Sequence, residues 1–184
     1  MSLYTTPAPA DDLRLPELHK WLASLPAPAL KLDSLRPASS DASFRRYFRI
    51  DGADGATFIV MDAPPPQEDV RPFIHVAGVF GETGVSVPAI LAQDIEQGFL
   101  LLSDLGSTTY LQLLTPDNAH KLYIDAIDAL VHLQIHSKPT VLPEYDRTLL
   151  LRELMLFPEW YVGKHLGLTM TEKQTATLNK VFDT

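Results

Sequence analysis

The chain of 184 residues has no cysteine, which excludes a disulfide framework and any thiolate zinc site and fits a reducing compartment. No apolar run approaches the roughly 18 uninterrupted residues of a membrane span. The first 30 residues also lack the basic-then-apolar order of a secretory signal. These absences lead to the expectation of a cytoplasmic protein with no membrane partner. Positive charge is scarce too: 15 Lys and Arg stand against 23 Asp and Glu, a net charge of −8. Neutralising a nucleic-acid backbone needs a concentrated basic surface, so nucleic acid is not expected as a partner. No Gly-x-Ser-x-Gly elbow is present, which leaves hydrolase chemistry without support.

What the chain does have is an apolar content of 46%, enough for a sizeable core in one domain or one and a half. Residues 39–62 read SSDASFRRYFRIDGADGATFIVMD, a small polar loop, a strand, an Asp-Gly turn and a second strand. Small residues such as Ser39, Ser40, Ala42 and Ser43 let backbone N–H groups turn inward toward a polyphosphate, as amides do in anion-binding nests. Residues 99–106, FLLLSDLG, have the form of a buried strand opening into a short polar connector. Together the two segments suggest a two-lobed nucleotide site with a hinge. Arg45, Arg46 and Arg49 make the one dense basic cluster. On a strand, Arg45 and Arg49 share a face with Tyr47 and read as edge-strand solubility residues. Arg46 falls on the more apolar face with Phe44, Phe48 and Ile50, and needs an anionic partner.

The remaining pattern sets an α+β order. Residues 1–12, rich in Pro, Ala and Thr, are expected to be disordered. A helix over 13–25 carries Leu15, Leu18 and Leu22 on one stripe and ends before Pro26 and Pro28. Strands are expected over 32–36, 44–50 and 57–61, the last two forming a hairpin. The prolines 64, 65 and 66 forbid helix until Asp69, an N-cap for a helix through Phe73, Val76, Ala77 and Phe80 that Gly84 stops. Residues 87–93 and 98–103 read as another hairpin. Over 118–137, Leu122, Ala126, Ala129, Leu130 and Leu133 share the core face of a helix. Asp146 caps the next helix, which Pro158 is expected to kink, and Thr171 with Gln174 forms a capping box for one more.

The segments SSDASFRRYFR, VMDAPPPQED, LLLSDLG and YDRTLLLRELMLFPEWY resemble the aminoglycoside phosphotransferase-like kinases over about residues 32–161. Among these they look like the bacterial kinases of the anomeric hydroxyl of N-acetylmuramate and N-acetylglucosamine. The resemblance implies an α+β, protein-kinase-like fold. A five-stranded antiparallel nucleotide-binding N-lobe with one helix would occupy 13–103, and a hinge with the start of a helical C-lobe 104–184. It implies ATP and Mg²⁺ as cofactors, an amino sugar as substrate and a role in cell-wall recycling.

By position, the resemblance puts Ser39, Ser40, Asp41, Ala42 and Ser43 over the phosphates and Met61 where the nucleotide lysine would stand. Leu102, Ser103 and Leu105 would border the adenine, with the Ser103 carbonyl and the Leu105 N–H reading its edge. The helix through Phe73 and Phe80 has no acidic residue in its middle, so the lysine–glutamate pair of kinases is missing on both sides. Arg46 is the nearest candidate for the absent cation. The family's catalytic loop, with its Asp base and metal-binding Asn, has no counterpart, for no His-x-Asp triplet occurs. Neither a catalytic residue nor a metal ligand is therefore expected in this chain, which reads as the N-terminal part of a longer enzyme, inactive alone.

Glu153, Phe157, Trp160 and Tyr161 are the expected sugar platform, because aromatic faces cover the apolar side of a sugar ring while a carboxylate accepts from its hydroxyls. Core packing competes with that reading for Phe157 and Trp160. His132 and His136 lack an evident third metal ligand and read as packed or surface residues, and Asp125 and Asp128 as a solvated face. Two further functions fit the same residues: a kinase for an aminoglycoside or small amino alcohol, which would want an acidic cleft, and a non-catalytic nucleotide-binding pseudokinase or interaction module. Oligomeric state is not legible.

Overall fold

The computed structural model describes residues 12–40 and 43–183, the side chains of Ser39 and Ser40 excepted. Residues 1–11, most of the segment expected to be disordered, lie outside it. Asp12, the last of that segment, is described and holds an ion pair with Arg46. The described residues divide into two compact units, one ending at Ser137 and one beginning at Lys138.

In the first unit, helix α1 (Arg14–Ser24) precedes strands β1 (Leu30–Ser40), β2 (Arg46–Gly52) and β3 (Thr57–Asp62). Helix α2 (Arg71–Gly81), strands β4 (Ile90–Asp94) and β5 (Phe99–Ser103), and helices α3 (Tyr110–Leu113) and α4 (Ala119–His136) follow. The five strands form one antiparallel sheet in the order β1-β2-β3-β5-β4, the expected lobe of five strands with one helix between them.

Period-two alternation gives this sheet two buried faces. Ile50, Val60, Phe99 and Leu101 point toward α1, where they bury Leu18, Trp21 and Leu22. Full burial of each of those three side chains contributes about 2 kcal/mol. Met61, Leu100 and Leu102 point the other way, against Val70, Phe73 and Ile74 at α2.

Several boundaries differ from the sequence expectation. β1 continues to Ser40, with Ser39 opposite Tyr47 and Ser40 opposite Arg46, so these two serines lie in the ladder rather than in a loop. Register shifts flank the segment around Pro37, whose missing N–H interrupts the ladder without ending it. β2 lies between β1 and β3, so Arg49 is not on an edge strand. α2 starts at Arg71 with Val70 at its N-cap, so Asp69 stands one residue outside the expected capping position, where its side chain accepts from the Arg71 N–H at 2.9 Å. β4 starts at Ile90 rather than at 87. Gly98 has φ +73, and a Cβ there would meet the Ala63 carbonyl oxygen at 2.0 Å, so the turn into β5 requires glycine.

The expected core face of α4 is not buried in its own unit: no residue of the helix is buried, and Leu130 is 53% exposed. An apolar stripe is buried only where a second layer covers it. The second unit comprises α5 (Arg147–Leu156), a π-helical segment (Phe157–His165) and α6 (Glu172–Phe182). Asp146 caps α5 by accepting from the Leu149 N–H, and Thr171 with Gln174 forms the capping box of α6, both as expected. Pro158 lies just beyond the end of α5, at the start of the π-helical segment. It cannot donate an i→i−4 bond, and the helix widens, with the Leu166 N–H reaching the Tyr161 carbonyl at 3.0 Å. No helix among the described residues is long and apolar enough to cross a membrane.

The sharpest electrostatic feature of the sheet is the fully buried carboxylate of Asp62 at the end of β3. Arg14 of α1 donates to its Oδ1 from Nε at 2.9 Å and from Nη2 at 2.6 Å, and Arg46 of β2 donates to its Oδ2 from Nε at 2.9 Å. Two guanidinium groups thus satisfy one desolvated carboxylate and tie α1 to the sheet. Removing the partner of a buried charge costs about 3–5 kcal/mol, so Arg46→Met should lower stability by that order. Arg36→Met, which opens the exposed pair with Asp51, should change it by about 0.5 kcal/mol or less. Urea unfolding measures both, and equal losses would show that the Asp62 pairs do not anchor the lobe.

Candidate functional site

Between β1 and β2, Asp41 and Ala42 lie outside the described residues. The far side of the loop is tied down: Ser43 Oγ accepts from the backbone N–H and the Nε of Arg45, each at 3.2 Å. The Phe44 N–H donates to the Glu68 carboxylate at 3.1 Å, and Arg45 lies 3.7 Å from the same side chain. The Phe44 amide at the loop's edge is therefore already committed to a side chain of the same unit.

Met61 is fully buried among Ala63, Val70 and Leu100, so the position of the nucleotide lysine is apolar. Arg46 projects from the opposite face of the sheet, where Asp62, Asp12 and the ring of Phe48 surround it. The anionic partner that its position demanded is internal. Its donated hydrogen bond holds the Asp12 carboxyl below the usual carboxylate range.

At the end of β5, the Ser103 N–H donates to the Ala89 carbonyl at 2.9 Å and the Ser103 Oγ accepts from the Ala89 N–H at 2.8 Å. Leu102 is buried in the α2-side core. Leu105 differs from both: its side chain is 64% exposed, and its N–H has no hydrogen-bond partner among the described residues. Asp104, between them, is nearly buried, its side chain only 4% exposed. Arg49 donates to it from Nε at 2.6 Å and Nη2 at 3.1 Å, the Thr57 hydroxyl at 2.8 Å and the Gly106 N–H at 2.8 Å. Arg49 foremost, then Thr57 and Gly106, hold its carboxyl down at about 2 against the opposing effect of burial.

In the second unit, Phe157 and Tyr161 stack at 5.5 Å between ring centroids, and Tyr161 stacks on His165 at the same distance. Trp160, at 61% exposure, stands outside that stack, and Glu153 receives the Arg152 guanidinium at 3.0 Å. Neither Phe157 nor Trp160 is a core residue of this unit. A cavity of about 310 Å³ opens nearby between Pro158, Leu168 and Leu178, but none of the four expected sugar residues lines it. His132 and His136 each spend a ring nitrogen on a backbone carbonyl, Thr83 at 2.7 Å and His132 at 2.8 Å. Among the described residues no group of three His, Asp or Glu could hold a metal ion.

The first unit thus sets a five-stranded sheet beside a small-residue loop whose far side is tied down, with an unpaired amide just past β5. Residues 34–182 match the phosphotransferase enzyme family, APH. The chain belongs to that family. It is 50% identical over 182 residues to the N-acetylmuramate/N-acetylglucosamine kinase of Pseudomonas aeruginosa, covering 95% of this chain and 54% of the relative. It is 44% identical over 172 residues to the kinase of the same name from Neisseria meningitidis, covering 91% and 50%. The chain spans about half the length of the curated relatives it matches. The sheet and α2 make the protein-kinase-like α+β lobe of this phosphotransferase family.

The sequence pattern gives Asp104 and Thr57 no part in the site and reads Arg49 as a solubility residue. One local signal was available, for Asp two residues before a glycine favours a turn closed by its own side chain. The pH dependence follows from the lowered carboxyl. Asp104 stabilises the fold fully above its unfolded value near 3.9, and that contribution is lost as pH falls toward about 2. Asp104→Asn should therefore unfold more readily at pH 7, and its loss of stability between about pH 4 and pH 2 should be shallower than that of the parent protein. Parallel acid limbs in urea unfolding would remove the Arg49–Asp104 pair as a source of stability.

Proposed function

We propose that this chain is the nucleotide lobe and the start of the helical lobe of an ATP-dependent kinase that phosphorylates the anomeric hydroxyl of N-acetylmuramate or N-acetylglucosamine. The observation that carries the reading is the similarity, over 95% of the chain, to a kinase named for those two sugars. The free Leu105 N–H supports the nucleotide half, since an exposed, unpaired backbone donor beside the Ser103 strand end suits the edge of an adenine. Phosphoryl transfer depends on positioning and on stabilising charge rather than on covalent chemistry by the protein. With Met61 in place of a lysine, the phosphates are assigned to the segment of residues 39–43, the position that the family resemblance gives to the phosphate-covering loop. Arg46, opposite Ser40 in the ladder, acts at the base of that loop through Asp62 and Asp12. Mg²⁺, when bound, would neutralise phosphate charge, and its ligands and the base are assigned to none of the described residues. The dependence on ATP places the reaction in the cytoplasm.

Glu153, Phe157, Trp160 and Tyr161 are proposed as sugar-binding residues, supported by the exposure of Trp160 and the open Phe157–Tyr161 stack. One observation favours a non-catalytic nucleotide-binding module instead: neither Met61 nor any residue of α2 supplies the kinase ion pair. Turnover decides between the two. The complete protein should form ADP from ATP only when N-acetylmuramate or N-acetylglucosamine is present. Trp160→Ala and Glu153→Ala should raise the sugar KM by about tenfold, the equivalent of roughly 1.4 kcal/mol, with the ATP KM within about twofold of the parent. No sugar-dependent ADP would support the non-catalytic reading, and unchanged sugar kinetics would leave the aromatic patch without a part in recognition.

A further inference from the structure

The connector after β5 is exposed at Leu105, yet its neighbour Asp104 is nearly buried and accepts from three places in the chain: Arg49 on β2, Thr57 on β3 and the Gly106 N–H two residues on. Oδ2 receives Arg49 Nε and the Thr57 hydroxyl, while Oδ1 receives Arg49 Nη2 and the Gly106 N–H. All the acceptor capacity of the carboxylate is thereby used. Gly106 has φ +94, a conformation that side-chain-bearing residues rarely adopt, and it closes the turn so that its N–H reaches back to Asp104. Leu105 is thus held between two fixed residues, and its own N–H is left unpaired. A donor whose flanking backbone is already immobilised meets a ligand without a further ordering cost, which is the physical content of preorganisation.

We propose that Arg49, Asp104 and Thr57 are positioning residues that fix the hinge so that the Leu105 N–H meets the edge of the adenine, an inference that rests on the nucleotide reading above. None of the three touches the nucleotide. Asp104→Asn replaces one acceptor oxygen with an N–H₂ group that would face either the Gly106 N–H or the Arg49 guanidinium, so the turn opens while side-chain volume is kept.

Titration of the full chain with a non-hydrolysable ATP analogue and, separately, with inorganic tripolyphosphate tests this. In the parent protein the analogue should shift the Leu105 amide signal. Asp104→Asn should weaken the analogue by about tenfold or more, in keeping with the loss of a hydrogen bond to a charged group, and leave tripolyphosphate affinity within about twofold. Arg49→Met with Asp104→Asn should weaken it no further than Asp104→Asn alone, because both remove the same link. Thr57→Val, which keeps side-chain shape and the Arg49 pair, should weaken it by a few-fold and serves where Asp104→Asn does not fold. A Leu105 signal unmoved in the parent protein would overturn the hinge reading and the clamp with it. A shifted parent signal with parent-like affinity in Thr57→Val and Asp104→Asn, or an equal loss for tripolyphosphate, would overturn the clamp alone.

Discussion

Alternation along β3 is the constraint from which the rest of the first unit follows. Val60 and Asp62 face α1, while Ile59 and Met61 face α2, so each of the two helices has its own set of contacts on one strand. Asp62 ends the α1 face with a carboxylate that would be costly alone and is held by Arg14 and Arg46. A one-residue slip of β3 would bring Asp62 against Val70 and expose Met61 to two guanidinium groups. Register is thereby fixed by charge as well as by hydrophobic pattern.

The same alternation decides what the two central arginines of β2 can do. Arg46, opposite Asp62, belongs to the α1 face, and Arg49, three residues on, belongs to the other. Each finds a carboxylate on its own side, Asp62 for one and Asp104 for the other. A lysine at Met61 would stand on the face of Arg49, not of Arg46. The lobe meets the absence of that lysine with an apolar residue packed against α2, itself without an acidic partner to neutralise. The two absences are coherent: a glutamate there would be an unpaired buried charge.

Features set by local chemistry were legible in the sequence: the Asp146 cap, the Thr171 capping box, the hairpin between β2 and β3, and the α1 stripe. Those that depend on non-local pairing were not. Pro37 and the serines that follow read as a loop, yet pairing with β2 carries the ladder through them to Ser40. Arg49 reads as an edge residue until the strand order places β2 inside the sheet. The α4 periodicity is real, but periodicity predicts a face and not the layer that covers it. Of the candidate site, the segments were legible from their small residues and from FLLLSDLG, whereas the clamp on Asp104 needed three separate strands and turns brought together.

A crystal structure of the complete protein with a non-hydrolysable ATP analogue tests the central claim, that this lobe holds the nucleotide, most directly. The account predicts the adenine edge against the Ser103 carbonyl and the Leu105 N–H, and the phosphates under residues 39–43. A nucleotide bound with its base away from the β5 connector, or with its phosphates on the α1 face beside Arg46, would contradict it.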